Sequence, residues 1–419
     1  MNIFHELESN VRSYCRTFPE VFHRANGPFL YSESGQRFID FFAGAGALNY
    51  GHNNDYIKHR MLRYLEEDNV LHALDMHTRA KRDFLHTFKS IILQPRQLPY
   101  KVQFCGPTGT DAVEAALKLA RRAMRRTTVF AFTGAYHGMS LGALAATANK
   151  GSRAAAGVPL PNVTFVPYPG TLGTQLDSIK YIEYLLACDH SGTDKPAAIL
   201  FETVQAEGGV NVAPIEWMRQ VRDLCDRYGI VMICDDIQVG CFRTGPFFSF
   251  ERAGIIPDMV LLSKSISGIG FPMSLVLMKP ELDVWKPAEH TGTFRGNQIA
   301  FVAGAAALDY AIENQLESEV LRKEAFLRGF LTGEICPGNN GIAVRGLGMI
   351  WGIDLSRIGD VSLARKVSAR CFELGLIIET AGPDDTVIKL MPPLTIGLDL
   401  LREGCDIVRR AIWEVLGTC

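Results

Sequence analysis

The chain has 419 residues, is 47% hydrophobic and carries a formal net charge of -2, which is enough apolar material for a large core and more than one domain. So small a charge argues against binding to nucleic acid or to an anionic membrane surface by electrostatic attraction. There is no run of about 18 apolar residues, Met1-Asn-Ile-Phe-His-Glu-Leu-Glu8 lacks the features of a signal peptide, and ten scattered cysteines without metal-ligand spacing fit reduced thiols in the cytoplasm and no metal site.

In chain order, the stretch 29–40 reads as a hairpin. Short apolar runs then alternate with helical stretches, at 101–105, 128–132, 163–166, 197–201, 231–234, 259–262 and 274–278. That alternation predicts an α/β fold with a mostly parallel seven-stranded sheet covered on both faces. Beyond Asn297 the pattern is helical through 316–333, offers strands near 348–353 and 387–391, and closes on a helix near 399–416 with Asp399 as N-cap. We therefore expect a large domain over 51–315, a smaller α+β domain over 316–419, and an N-terminal segment, 1–50, packing with the smaller one.

Three of the apolar runs end in residues suited to chemistry. The first leads into Gly106-Pro-Thr-Gly-Thr-Asp111 and an alanine-rich helix over 112–126. A glycine turn meeting a helix N-terminus offers free backbone N–H groups and the positive end of the helix dipole to a phosphate. Gly109 allows close approach there, and Thr110 adds a hydroxyl.

The run at 231–234 ends in Asp235-Asp236. Successive residues of an extended chain point to opposite sides, so one carboxylate faces a ligand beyond the strand ends. We assign that role to Asp235 and read Asp236 as a hydrogen-bonded turn acid. The run at 259–262 delivers Lys264 into a Ser/Gly turn. A lysine there either snorkels to solvent or is an amine held for Schiff-base chemistry, its pKa lowered by desolvation. Asp235 favours the second. Against the ring nitrogen of pyridoxal phosphate a carboxylate keeps that nitrogen protonated and the ring an electron sink, with Ile237 pressing on the ring and Gln238 reaching its hydroxyl.

The glycine turn at 106–110, Tyr136-His-Gly138, the stretch from Glu202 to Gly209, that from Asp235 to Gly245, Lys264 and Thr291-Gly-Thr-Phe-Arg-Gly-Asn297 together resemble the class III, or omega, aminotransferases. These are fold type I pyridoxal-phosphate enzymes. The segments 11–19, 41–53 and 376–380 extend the resemblance, over nearly the whole chain, to the diaminobutyrate–2-oxoglutarate branch of that family.

The resemblance implies pyridoxal 5'-phosphate as cofactor and transfer of an amino group from L-glutamate to L-aspartate 4-semialdehyde, in ectoine or related biosynthesis. It implies Gly109 and Thr110 at the phosphate, Tyr136 stacked on the pyridine ring with His137 orienting beside it, Asp235 and Gln238 at the ring nitrogen and hydroxyl, and Lys264 as covalent attachment and proton-transfer base. Thr293 is expected to reach the phosphate of a neighbouring subunit, so the working unit is a homodimer or higher homo-oligomer with shared sites.

Glu202 and Glu207 match acids that line the substrate site in that family. Where relatives pair the second with an arginine, this chain has Lys389, a point charge in place of a bidentate fork. The alternative for Lys389 is a surface lysine on an edge strand. Ala206 and Phe242 also depart from the pattern, Phe242 adding bulk near the site. Two other activities stay open: another omega-aminotransferase, of the 4-aminobutyrate or ornithine type, and an aminomutase of the same fold.

Overall fold

The computed structural model describes residues 3–171, 176–338 and 341–417. The seven expected apolar runs are seven strands of one sheet: β1 (Lys101–Phe104), β2 (Val129–Phe132), β3 (Val163–Val166), β4 (Ala198–Phe201), β5 (Val231–Asp235), β6 (Met259–Leu262) and β7 (Leu275–Met278). Their order is β1-β7-β6-β5-β4-β2-β3. All neighbours are parallel except β7, which runs antiparallel to β6 and β1. β2 and β4 to β7 are buried at every residue, the pattern of strands covered on both faces.

Helix α1 (Gly109–Met124) follows β1 and buries a face rich in alanine, including Ala112, Ala115, Ala116 and Ala120. Such small side chains let a helix lie close on a sheet. It begins three residues before the expected start because Asp111 closes its first turn, Oδ2 accepting from the Thr108 backbone N–H at 3.2 Å and hydroxyl at 2.9 Å. Helix α2 (Gln298–Glu313) packs where the Lys264 turn passes: a Cβ on Gly268 would stand 2.4 Å from the Ala307 Cβ.

Strands β8 (Ala343–Leu347), β9 (Ile350–Asp354), β10 (Glu379–Ala381) and β11 (Val387–Leu390) form an antiparallel sheet in the order β8-β9-β11-β10. β11 is therefore interior, and the edge-strand alternative for Lys389 is overturned. A third sheet pairs the expected hairpin, Phe29–Ser32 with Arg37–Asp40, to Phe22–Asn26 and to Leu376–Ile377. Residues 39–41 and 375–377, far apart in the chain, thus share hydrogen bonds.

Two local expectations need correction. The last helix, α3 (Leu398–Leu416), is capped by Gly397, and Asp399 lies inside the first turn, where its charge still opposes the helix dipole favourably. Phe242 does not crowd the site; it packs edge-to-face on Phe247 at 5.2 Å within the main core. Among the described residues no helix is long and apolar enough to cross a membrane.

Candidate active site

A cavity of about 510 Å3 lies beyond the carboxyl ends of β1, β2, β4, β5 and β6, the position where open α/β sheets receive ligands. Thr108, Gly109 and Thr110 bring the α1 N-terminus to its wall. Thr110 Oγ1 is 2.5 Å from Ser140 Oγ, which donates to Glu114 Oε1 at 2.6 Å. Gly138 has φ +127°, and a Cβ there would stand 2.5 Å from Thr110 Oγ1. Only glycine suits that backbone and leaves the threonine hydroxyl uncovered.

Asp235 ends β5 and lines the cavity, while Asp236 points the other way, as strand alternation requires. Asp235 Oδ2 is 2.6 Å from His137 Nδ1, and Oδ1 accepts from the Ile237 N–H at 3.2 Å. Asp236 accepts from the Ser249 N–H at 3.0 Å and from the Ser249 hydroxyl, and burial raises its pKa to about 7. The Ile237 side chain lies against Gly109, where a Cβ would meet its Cδ1 at 3.1 Å. Tyr136, half-exposed, forms another part of the wall, its N–H donating to Glu202 Oε2 at 3.3 Å.

Lys264 enters the same cavity from the turn after β6, with φ +49°. A non-glycine residue in that region stores backbone strain of about 1–3 kcal/mol. Burial lowers its pKa, more than Glu207 and the other nearby carboxylates restore it. The next residue, Ser265, donates to Gly46 O at 2.6 Å and accepts from the Asn49 N–H at 3.1 Å. Asn49 Oδ1 in turn accepts from Arg243, a fully buried side chain that also donates to Met349 O at 3.0 Å and to Pro392 O. Burial pulls the Arg243 guanidinium down to about 9.

The remaining side is acidic. Glu202 is buried, and desolvation, reinforced by Asp235, pushes its pKa well above the usual carboxylate range. Glu207 sits at the tip of the small hairpin Val204–Gln205 with Asn211–Val212, and its carbonyl accepts from the Gly382 N–H at 2.9 Å. Its Oε1 takes Lys389 Nζ at 2.6 Å and Gln238 Nε2 at 3.0 Å. Burial alone would raise Glu207, but Lys389 and Lys264 overcome it and hold the acid at about 2.

Lys389 is completely buried and lies behind Glu207. Its Nζ is also 2.9 Å from Glu379 Oε1, an ion-pair contact short of hydrogen-bond geometry. Burial lowers its pKa and raises that of Glu379, a rise that Lys389 opposes, and the two carboxylates together keep the ammonium above its usual range.

Gln238 and Thr293 have other partners within the chain. Gln238 lines the cavity, its amide nitrogen donating to Glu207 Oε1 and to Ala45 O at 2.9 Å. Thr293 is exposed outside this cavity, its carbonyl accepting from His72 Nε2 at 3.1 Å. Two residues were missed: Glu379, and Tyr14, which lines the cavity with its hydroxyl raised to about 12 by burial and then by Glu379. Both lie in segments, 376–380 and 11–19, read only for their resemblance.

The family profile described as Aminotransferase class-III matches residues 12–412. The chain belongs to the class III aminotransferases. This aminotransferase is 52% identical over 419 residues to the diaminobutyrate–2-oxoglutarate transaminase of Bordetella parapertussis, with 99% of this chain and 96% of the other covered. It is 52% identical over 415 residues to the enzyme of the same name from Streptomyces anulatus, with 99% and 98% covered. In fold it matches the ornithine aminotransferase of Toxoplasma gondii, TM-score 0.86 at 23% identity over 99% of this chain and 93% of that one. It likewise matches the taurine:2-oxoglutarate aminotransferase of Bifidobacterium kashiwanohense, solved with PLP and glutamate, TM-score 0.85 at 24% identity over 96% and 94%.

Class III aminotransferases work with pyridoxal 5'-phosphate, and the cavity fits that group. The α1 N-terminus, with room left by Gly138 and a hydroxyl from Thr110, suits a phosphate. A buried carboxylate at Asp235 suits a protonated ring nitrogen, and an amine of lowered pKa at Lys264 suits an aldehyde.

Proposed function

We propose that this enzyme transfers the amino group of L-glutamate to L-aspartate 4-semialdehyde, giving L-2,4-diaminobutyrate and 2-oxoglutarate, in the cytoplasm and as a step of ectoine or related biosynthesis. The observation that supports this substrate pair is the 52% identity, over 99% of the chain, to a diaminobutyrate–2-oxoglutarate transaminase.

In this reading Gly109 and Thr110 hold the cofactor phosphate, Tyr136 and Ile237 enclose the ring, and Asp235, oriented by His137, pairs with the ring nitrogen. Gln238 turns to the ring hydroxyl once it releases Glu207. Thr293 serves the phosphate of a neighbouring subunit, which makes a homodimer the smallest complete unit. The bound cofactor supplies an electron sink for the substrate carbon. Lys264 would attach it and, as the free amine, would move a proton at the substrate carbon. Burial lowers its pKa, which favours the neutral amine for this task.

Glu202, whose pKa burial raises, lines the substrate side. Glu207 and Lys389 act as a gate. Lys389 takes the carboxylate on the reacting carbon of glutamate when Glu207 moves aside, and Glu207 covers it when the reacting carbon bears none. The gate joins the large domain, 51–315, to the small domain, 316–419, against which residues 1–50 pack.

The test is an acceptor panel with glutamate as donor: aspartate, succinate and glutamate semialdehydes, with 2-oxoglutarate release as readout. Fastest release with the first is expected. Preference for either of the others overturns the substrate, and absence of 2-oxoglutarate with all three favours an aminomutase.

A further inference from the structure

The sheet that carries Lys389 gives it a second carboxylate, which the gate described above does not use. Glu379 on β10 stands directly opposite Lys389 on β11, with Oε1 2.9 Å from Nζ and both residues buried. Glu207 reaches the same ammonium at 2.6 Å from a separate hairpin. The two acids differ in how they are held. Glu207 borders the cavity and is bound in addition by Gln238, whereas Glu379 shares a sheet with Lys389 in fixed register and is not part of the cavity wall. Movement of Glu207 therefore breaks one ion pair and leaves the other in place.

Resting on the reading of Glu207 and Lys389 as a gate, we propose that Glu379 is the standing counter-ion of Lys389, a positioning residue that lets the gate open for glutamate. An ammonium left in a protein interior without a partner is strongly unfavourable. With Glu379 present, Lys389 stays paired as Glu207 leaves, and the incoming carboxylate meets an ammonium already held in place. With Glu379 neutralised, the single remaining pair must break before the substrate can form its own. The effect is one-sided. Glutamate carries a carboxylate on its reacting carbon and needs the exchange, whereas diaminobutyrate reacts through its terminal amine and leaves Glu207 where it is.

Single-turnover absorbance measurements on the cofactor-loaded enzyme, with glutamate and diaminobutyrate tried separately, test this in wild type, Glu379→Gln, Glu379→Asp and Glu207→Gln. For Glu379→Gln the glutamate concentration giving half-maximal rate is expected to rise about tenfold, with that for diaminobutyrate changed less than about twofold. Glu379→Asp keeps the charge and is expected to recover most of the loss, and it serves as the measured variant should the glutamine form not fold. Equal loss in both half-reactions assigns Glu379 a structural role and overturns the proposal; no change in either does the same. A glutamate half-reaction indifferent to Glu207→Gln removes the gate itself, and a wild type unreactive with diaminobutyrate overturns the substrate reading.

Discussion

His137 Nδ1 lies 2.6 Å from Asp235 Oδ2 with both side chains buried, and among the described residues the other imidazole nitrogen has no hydrogen-bond partner. A carboxylate only accepts, so Nδ1 is the protonated nitrogen. Replacing His137 by phenylalanine keeps the ring and removes the donor. A hydrogen bond to a charged group is worth about 1.5–3 kcal/mol, so kcat should fall by about ten- to a hundredfold. Steady-state kinetics on cofactor-saturated protein checks it, and an unchanged kcat would show that the pair does nothing for Asp235.

Gly138 tests the phosphate cradle. A Cβ at this residue would stand 2.5 Å from Thr110 Oγ1 on a backbone with φ +127°. Gly138→Ala should therefore displace the hydroxyl and weaken cofactor binding by about tenfold or more, from strain of about 1–3 kcal/mol. Equilibrium dialysis of the cofactor measures this, and Thr110→Ala should weaken binding in the same direction without the backbone strain.

Lys264→Ala should abolish covalent retention of the cofactor. Borohydride-treated wild type is expected to keep a cofactor adduct on the peptide containing residue 264 after denaturation, as read by mass spectrometry, and the variant to keep none. Turnover should fall by about a thousandfold, the range of a lost general base. An adduct on any other lysine would reassign the role.

Asp236 sets a pH signature in stability. Burial raises its pKa from 3.8 to about 7, so the folded state binds this proton more tightly than the unfolded chain does. Its contribution is therefore greatest below the unfolded value, declines as pH rises towards the folded one, and is constant above that. Asp236→Asn lacks this slope. The difference in thermal midpoint should shift in favour of the variant between about pH 4 and pH 7 and then level off; a pH-independent difference would place the folded pKa near its ordinary value.

Five of the seven strands of the large sheet were legible because strands buried on both faces leave unbroken apolar runs. Asp235 and Lys264 were visible because each follows such a run as an abrupt polar residue. The gate was only half visible. Lys389 sits in a run compatible with either an edge or an interior strand, and what decides between them is the placement of β9 and β10 on its two sides. Glu379 gave no signal of its own, since its meaning comes from facing Lys389 across a strand pair. Phe242 misled for a similar reason: its position in a familiar loop said nothing of the aromatic core into which it turns.

Arg243 has a bearing on when the protein becomes competent. Its guanidinium donates to Asn49, Met349 and Pro392, groups from the beginning, the later part and nearly the end of the chain. Asn49 in turn holds Ser265, next to Lys264. During synthesis the earlier part of a chain folds first, but two of the three acceptors of this side chain, Met349 O and Pro392 O, arrive late. The support of the lysine turn is therefore expected to be complete only when almost all of the polypeptide has been made.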